Sequence, residues 1–306
     1  MRMIVLAAGA AKRLRPLTDD RPAALVQFNG RTLLDWTLTA ARENGITDIM
    51  VVGGYKSDKL TRPDVQLIYN TEYSVTSEVG SMMMAETWFG EEFVMSYGNI
   101  AYRPEVLQAV LNSSAEIGVA VDLDWQPYWE RRFGDPLLEA SSLRMTQDGT
   151  IRSIGQTVNR LEDVQASFVG LVVFRGKGVK ALHRAWVRAK TDASYRRPIL
   201  GHRNVLDRLA MTDVLDELTT GDVPVKAVPV HGGWVEVHTP EDIAFAEDRW
   251  NGTASVPVVA EPVAPGPVAE ASRSGSPEAG AQSGGAASGG PVDVDVFRVH
   301  RAPRRW

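Results

Sequence analysis

Apolar residues run without a break from Met3 to Ala8 and stop at Gly9. Such a run, with no polar alternation, is the pattern of a strand buried on both faces in a parallel sheet. The period then changes. Leu34, Leu38 and Ala41 recur at helical spacing among polar Arg31, Thr37 and Arg42, and Asn44-Gly45 supplies the stop. Further strands are predicted at 48–54, 65–69, 93–97 and 116–122, with helices at 80–88 and 104–111, the latter begun by Pro104. Residues 124–134 break this alternation with Trp125, Tyr128, Trp129, Arg131 and Arg132, and read as an aromatic and basic insert. Asp148-Gly149 between 142–145 and 150–154 is a hairpin signal. A strand at 168–174, amphipathic helices at 179–189 and 204–218, and a strand at 225–230 follow. A last strand ends at His238, where Thr239 is placed to cap a helix with Pro240 in its first position.

Strand and helix alternating at these spacings predict right-handed crossovers and a Rossmann-like three-layer α/β/α fold. Its central sheet is mostly parallel, with a small hairpin and insert region added. Ligands of such sheets lie at the carboxyl ends of the strands. Gly9 and Asn99 both fall at such ends, so two remote stretches are expected to converge on one pocket.

Composition narrows the partners. The 306 residues are 44% hydrophobic and 23% charged, enough for one large core. The net charge of −5 gives no basic surface for polymeric nucleic acid or an anionic membrane. There is no cysteine, so thiolate nucleophiles and sulfur-built zinc sites are excluded. No apolar run approaches the roughly 20 residues that span a bilayer. The N-terminal run is read as a strand rather than a signal peptide, because Lys12, Arg13 and Arg15 follow it. A cytoplasmic location is the expectation. Residues 1–250 form the expected domain, and 251–290, rich in Ala, Pro, Gly and Ser, are expected to be a disordered linker. Residues 291–306 make an Arg-rich tail, read either as solubilising or as a short motif that touches a membrane surface, a protein partner or a second copy of the chain. Since 251–306 hold five acids and five Lys or Arg, the −5 belongs to the core.

Leu6-Ala7-Ala8-Gly9 with Arg13-Leu14 and Pro16-Leu17-Thr18, Pro22, Leu25, Leu33-Leu34-Asp35 and Gly233-Trp234-Val235-Glu236-Val237 before Thr239-Pro240-Glu241-Asp242 resemble the sugar-nucleotidyltransferase superfamily. Val121 to Trp125, Arg131, Asp135-Pro136-Leu137, Ile154-Gly155 and Phe168 to Leu171 look closest to its phosphocholine and phosphonate cytidylyltransferases. The resemblance implies the nucleotide-diphospho-sugar transferase type of fold. It also implies transfer of a nucleotidyl group, CMP from CTP, to a small phosphorylated or phosphonylated acceptor, with pyrophosphate leaving and Mg²⁺ assisting. Leu6, Ala7, Ala8, Gly9, Ala10, Ala11, Arg13 and Gly98 would bind the nucleotide, and Arg13 with Lys12 would neutralise phosphate charge. Trp125, Tyr128, Trp129 and Arg131 would take the acceptor, since aromatic faces attract quaternary ammonium. As a plain alternative, such rings anchor a surface loop.

The departures from the family pattern fall on its chemistry. Ala11 stands where a glycine is expected, which is tolerable if its φ is negative. Ala23 replaces a lysine, and Asn99 and His238 replace the aspartates that hold magnesium, leaving an altered metal site. Asp122, Asp124, Lys12 and Glu236 are candidate compensators, although Glu236, alternating with Val235 and Val237, also fits a solvent-facing position. Two readings therefore stand: an active nucleotidyltransferase, and a catalytically degenerate relative that binds a nucleotide, small ligand or partner without transfer. A dinucleotide-binding dehydrogenase does not fit, because Gly9-Ala10-Ala11-Lys12-Arg13 lacks the later glycines.

Overall fold

A computed structural model of the chain describes residues 1–192 and 205–252. The chain divides into a compact unit, Met1–Val263, and a remainder, Ala264–Trp306. The predicted linker and tail, 251–290 and 291–306, lie almost wholly outside the described residues.

In chain order the strands and helices are β1 (Arg2–Ala7), β2 (Gln27–Phe28), β3 (Arg31–Thr32), α1 (Leu33–Glu43), β4 (Ile49–Gly53), β5 (Gln66–Tyr69), α2 (Glu78–Met83), β6 (Glu92–Tyr97), β7 (Ile100–Tyr102) and α3 (Pro104–Asn112). They continue with β8 (Ile117–Asp122), α4 (Trp125–Phe133), β9 (Ser141–Met145), β10 (Ile151–Thr157), β11 (Ser167–Arg175), α5 (Lys177–Thr191), α6 (Met211–Leu218), β12 (Val225–Val230), β13 (Trp234–Glu236) and α7 (Asp242–Gly252). Seven strands form one sheet in the order β12-β8-β11-β6-β1-β4-β5. All neighbours are parallel except β11, which runs antiparallel to both β6 and β8. This is the expected α/β fold with a mostly parallel sheet.

β1 lies inside the sheet, between β6 and β4, because Met3 to Ala7 are apolar on both faces and buried on both. One face packs Ile4, Val52, Phe93 and Val172 against α2, α5 and α6, and the other packs Val5, Val51, Val94 and Leu171 against α1 and α3. Thr32 caps α1 by accepting a hydrogen bond from the Asp35 amide at 3.0 Å, and Gly45, at φ 75°, lets the chain leave it.

Several predicted elements are corrected. The insert at 124–134 is mostly helix, α4, in which Trp125, Tyr128, Trp129 and Arg132 recur at helical spacing. The helix predicted at 204–218 is two pieces, a 3₁₀ turn at Val205–Arg208 and α6. Ala210 is extended between them, and its amide donates to Asp213. The helix predicted at 80–88 begins earlier, capped by Ser77, and gives way to a 3₁₀ turn at Glu86–Trp88. The last helix starts at Asp242 rather than Pro240. The Asp242 carboxylate, not Thr239, reaches back to accept from the His238 and Thr239 amides at 2.8 and 2.9 Å.

The C-terminal segment is fastened to the sheet by one carboxylate. Asp122, fully buried at the end of β8, accepts from the Gly232 amide at 3.1 Å, the Asp124 amide at 3.0 Å, Trp234 Nε1 at 2.9 Å and Arg249 Nη2 at 2.6 Å. Asp122 is thus a structural anchor, and its oxygens are taken. A buried carboxylate is tolerated only when so saturated, and removing one partner of a buried pair costs about 3–5 kcal/mol. Asp122→Ala, which leaves the Arg249 guanidinium uncompensated, is expected to lose about that much stability in urea unfolding followed by circular dichroism.

Candidate functional site

The loop leaving β1 is held from beneath by close backbone approaches. The Gly98 amide donates to Leu6 O at 2.9 Å, and the Tyr55 amide to Ala8 O at 2.9 Å. A β-carbon on Gly98 would lie 2.6 Å from Leu6 O, so its missing side chain serves this strand contact directly. Gly9 is different: it is exposed, with open space where a side chain would be. Beyond it the chain turns sharply. Ala11 is left-handed, at φ 42° and ψ 55°, contrary to the negative φ expected of an alanine there. A non-glycine residue in this region carries about 1–2 kcal/mol of strain. Two bonds to the Ala11 carbonyl hold it, from the Leu14 amide at 2.9 Å and Thr18 Oγ1 at 3.0 Å, while Leu14 is buried as an anchor.

The turn at Lys12–Leu14 leaves Lys12 exposed and directs Arg13 toward the other strand ends. Those ends meet because β13 pairs β7 antiparallel, with Glu236 opposite Ile100. One residue further, the Val237 amide donates to Asn99 O at 3.0 Å and Asn99 Nδ2 donates to Val237 O at 3.4 Å. Arg13, Asn99 and His238, separated by up to 225 residues, therefore converge as the sequence implied. Ala23 does not contribute. It is buried with Leu14, Val26 and Phe28, so no charge stands in its place.

Arg13 Nη2 contacts His238 Nδ1 directly, and Arg13 Nη1 pairs with Glu139 Oε1 at 3.5 Å. Arginine has no acceptor, so His238 Nδ1 supplies the lone pair and its proton resides on Nε2. Nε2 faces Glu236 Oε1 at 2.5 Å. Glu236 therefore points inward, which corrects the solvent-facing alternative. Burial alone would raise its carboxyl. His238, Arg132 and Arg13 outweigh that and hold it at about 2. Arg132, its side chain 1% exposed, continues the series: it lies 3.8 Å from Glu236 and grips Asp242 through Nε and Nη2 at 3.0 and 2.8 Å. Sequence reasoning chose Arg131, which pairs with Asp248 on the surface. Helical spacing from Trp125, Tyr128 and Trp129 would have pointed to Arg132. Glu139 carried no sequence signal.

The aromatic residues assigned to the acceptor are placed otherwise. Trp125 packs with Val158 and Val164. Arg249 and Arg132 lie over the Tyr128 ring at 4.1 and 5.1 Å, and Arg132 lies 5.9 Å from the Trp129 ring. The chain's own guanidinium groups thus lie against the Tyr128 and Trp129 rings, and Trp125 is packed into a small apolar cluster.

The donors fit magnesium poorly. Mg²⁺ selects anionic and water oxygens. Here His238 Nδ1 is engaged by Arg13 while Nε2 abuts Glu236 without a hydrogen bond, Asn99 has only a neutral carbonyl oxygen to offer, and Glu236 lies between His238 and Arg132. A divalent ion about 4 Å from the Arg13 guanidinium would meet about 8 kcal/mol of repulsion at an effective dielectric of about 20, before any carboxylate offset it. Among the described residues no three His, Cys, Asp or Glu gather as a metal site.

A second acid lies near the same strand ends. Tyr97 Oη donates to Glu78 Oε1 at 2.6 Å, and the Met211 amide donates to the same oxygen at 2.8 Å. Burial raises the Glu78 carboxyl above its ordinary 4.5, more than these bonds lower it. The folded protein thus holds this proton more tightly than the unfolded chain. Its contribution is complete below the unfolded value and fades as pH rises through the folded one. Glu78→Gln, which keeps the acceptor and carries no charge, should melt progressively higher than the parent as pH rises from 4.5 to the alkaline side. Each unit of displacement is worth about 1.4 kcal/mol.

Comparison with known proteins accords with this geometry. Over 254 residues the chain is 29% identical to a CTP:phosphoglutamine cytidylyltransferase of Campylobacter jejuni, covering 79% of this chain and 98% of the relative. A choline-phosphate cytidylyltransferase of Streptococcus pneumoniae is 30% identical over 107 residues, 34% of this chain and 47% of that protein. Among solved structures, the inositol-1-phosphate CTP transferase of T. maritima superposes with a TM-score of 0.62 at 18% identity, over 83% of this chain and 98% of that one. The CTP:phosphocholine cytidylyltransferase of Streptococcus pneumoniae gives 0.59 at 18%, over 81% and 97%. These two likenesses establish the nucleotidyltransferase fold. The pattern of the MobA-like NTP transferase domain matches residues 3–212, more than half of the chain, and the chain belongs to that family.

Proposed function

We propose that the protein transfers CMP from CTP to a small phosphorylated or phosphonylated acceptor. The observation that carries this reading is the meeting of the open Gly9 loop and the Arg13 guanidinium with Asn99 and His238 at the carboxyl edge of the sheet. The Campylobacter relative, whose name gives CTP and phosphoglutamine, aligns along nearly its whole length and supports cytidine and a small phosphorylated acceptor. In the reaction an acceptor oxygen bonds to the α-phosphorus, the bond from that phosphorus to the bridging oxygen breaks, and pyrophosphate carries away the electron pair. Loop amides and Arg13, with exposed Lys12, are suited to neutralise the charge that grows on the leaving group. Glu139, half-exposed and paired with Arg13, must give way to the phosphates.

A second reading, binding without transfer, is favoured by one specific observation: the three positions where the family's lysine and two aspartates are replaced are buried or engaged within the chain. Ala23 lies in the core, Asn99 bonds the backbone, and His238 is held by Arg13 and Glu236.

Pyrophosphate release measured with CTP and a panel of choline phosphate, phosphoglutamine and 2-aminoethylphosphonate separates the two. Transfer predicts release with at least one acceptor, falling about 10²- to 10³-fold in Arg13→Ala. No release with any acceptor, together with recovery in Ala23→Lys, Asn99→Asp, His238→Asp, would sink transfer in favour of binding. Glu139→Gln removes a half-exposed competitor for Arg13 worth about 0.2–1 kcal/mol, so calorimetric CTP affinity should improve up to about fivefold.

A further inference from the structure

The groups gathered where the β1 loop meets the β7 and β13 ends are donors and cations rather than free anionic oxygens. Arg13 is the nearest charge to His238, and the imidazole has no lone pair left, since Nδ1 serves Arg13 and the protonated Nε2 faces Glu236. Glu236, a carboxylate that reaches inward, is shared with buried Arg132. The other, Glu139, approaches Arg13 from the half-exposed side. A cation from the chain itself is therefore in contact with His238, one of the two positions that the family resemblance assigns to metal ligands.

We infer that the nucleoside triphosphate is bound here as the metal-free anion, with Arg13, oriented by His238, in the role of the divalent cation. This rests on the nucleotide-binding reading above and goes beyond it in assigning the counter-charge. A guanidinium offers a rigid fork of N–H donors that matches two phosphate oxygens at once, and it is more weakly hydrated than an ammonium group. It needs no carboxylate cage, whereas a divalent ion does. That accounts for an amide and an imidazole occupying positions next to it. Lys12, exposed one residue earlier on the same turn, and Arg15, exposed two residues later and 3.5 Å from Asp19, add positive charge at the rim without adding a metal ligand. His238 is a positioning residue: it fixes the guanidinium by accepting from it, and the Glu236 carboxylate lies against its other nitrogen.

Calorimetric titration of the full chain with CTP, in excess EDTA and separately in excess Mg²⁺, tests this directly. The expected dissociation constants agree within about threefold. In Asn99→Asp, His238→Asp, where two carboxylates flank Arg13 and its imidazole support is gone, affinity should fall about tenfold or more in EDTA and be restored by Mg²⁺. Asn99→Asp alone, at a half-exposed site, gives the same direction should the double change destabilise the fold. Binding by the parent in Mg²⁺ but not in EDTA would overturn the inference while leaving nucleotide binding intact. Binding in neither would overturn the nucleotide reading and the inference together. A double variant that binds equally in both buffers would overturn the placement of the counter-charge at this position.

Discussion

The fold's functional edge depends on a carboxylate that never reaches solvent. Asp122 closes β8 inside the protein, and its two oxygens gather a glycine amide, a neighbouring amide, an indole N–H and a guanidinium. Without that set, a buried negative charge would be untenable. With it, the turn at Gly232, the Trp234 side chain and α7 are all drawn to the end of β8. The register of β13 on β7 follows, and with it the position of His238 opposite the end of β6. The anchor lies three residues before the aromatic helix and more than a hundred before Gly232, Trp234 and Arg249.

From that anchor the site is built as an alternation of charge. Arg13, His238, Glu236, Arg132 and Asp242 follow one another in contact, from the loop after β1 through the last short strand and α4 to the start of α7. Two guanidinium groups and two carboxylates cancel, and the neutral imidazole joins them. The series ties together three stretches remote in sequence, at Arg13, at Arg132 and at 236–242. Buried pairs of this kind add little net stability compared with apolar packing. Their value lies in direction, because arginine forks and a single imidazole tautomer each admit few geometries.

Much of this was legible in the chain. The central strands were written as uninterrupted apolar runs, and Gly9, Asn99 and His238 were assigned to strand ends that do converge. What stayed hidden was decided by tertiary contacts. Glu236 alternates with two valines and so reads as outward, yet its partners 2.5 and 3.8 Å away turn it in. Ala11 could be assigned a conformation only once the bonds to its carbonyl were known. Trp125, Tyr128 and Trp129 looked like a cage because local composition cannot say that Arg249, over a hundred residues on, covers one of the rings. Asp242 outcompeted Thr239 as the cap because Arg132 fixes its carboxylate.

The antiparallel course of β11 has an evolutionary consequence. Ser167 pairs beside Asp122, so everything from residue 123 to 166, the aromatic helix, the Glu139 turn and the β9–β10 hairpin included, departs from and returns to adjacent points on one rim of the sheet. Topologically the whole stretch is a single excursion whose ends are already joined by the ladder. Lengthening such a loop costs only in proportion to the logarithm of its length, about 0.6 kcal/mol for a doubling. Insertions within the stretch, away from Arg132 and from the core residues Leu143, Ile151 and Ile154, can thus diversify the face it presents while the strand that carries the β1 loop is left untouched.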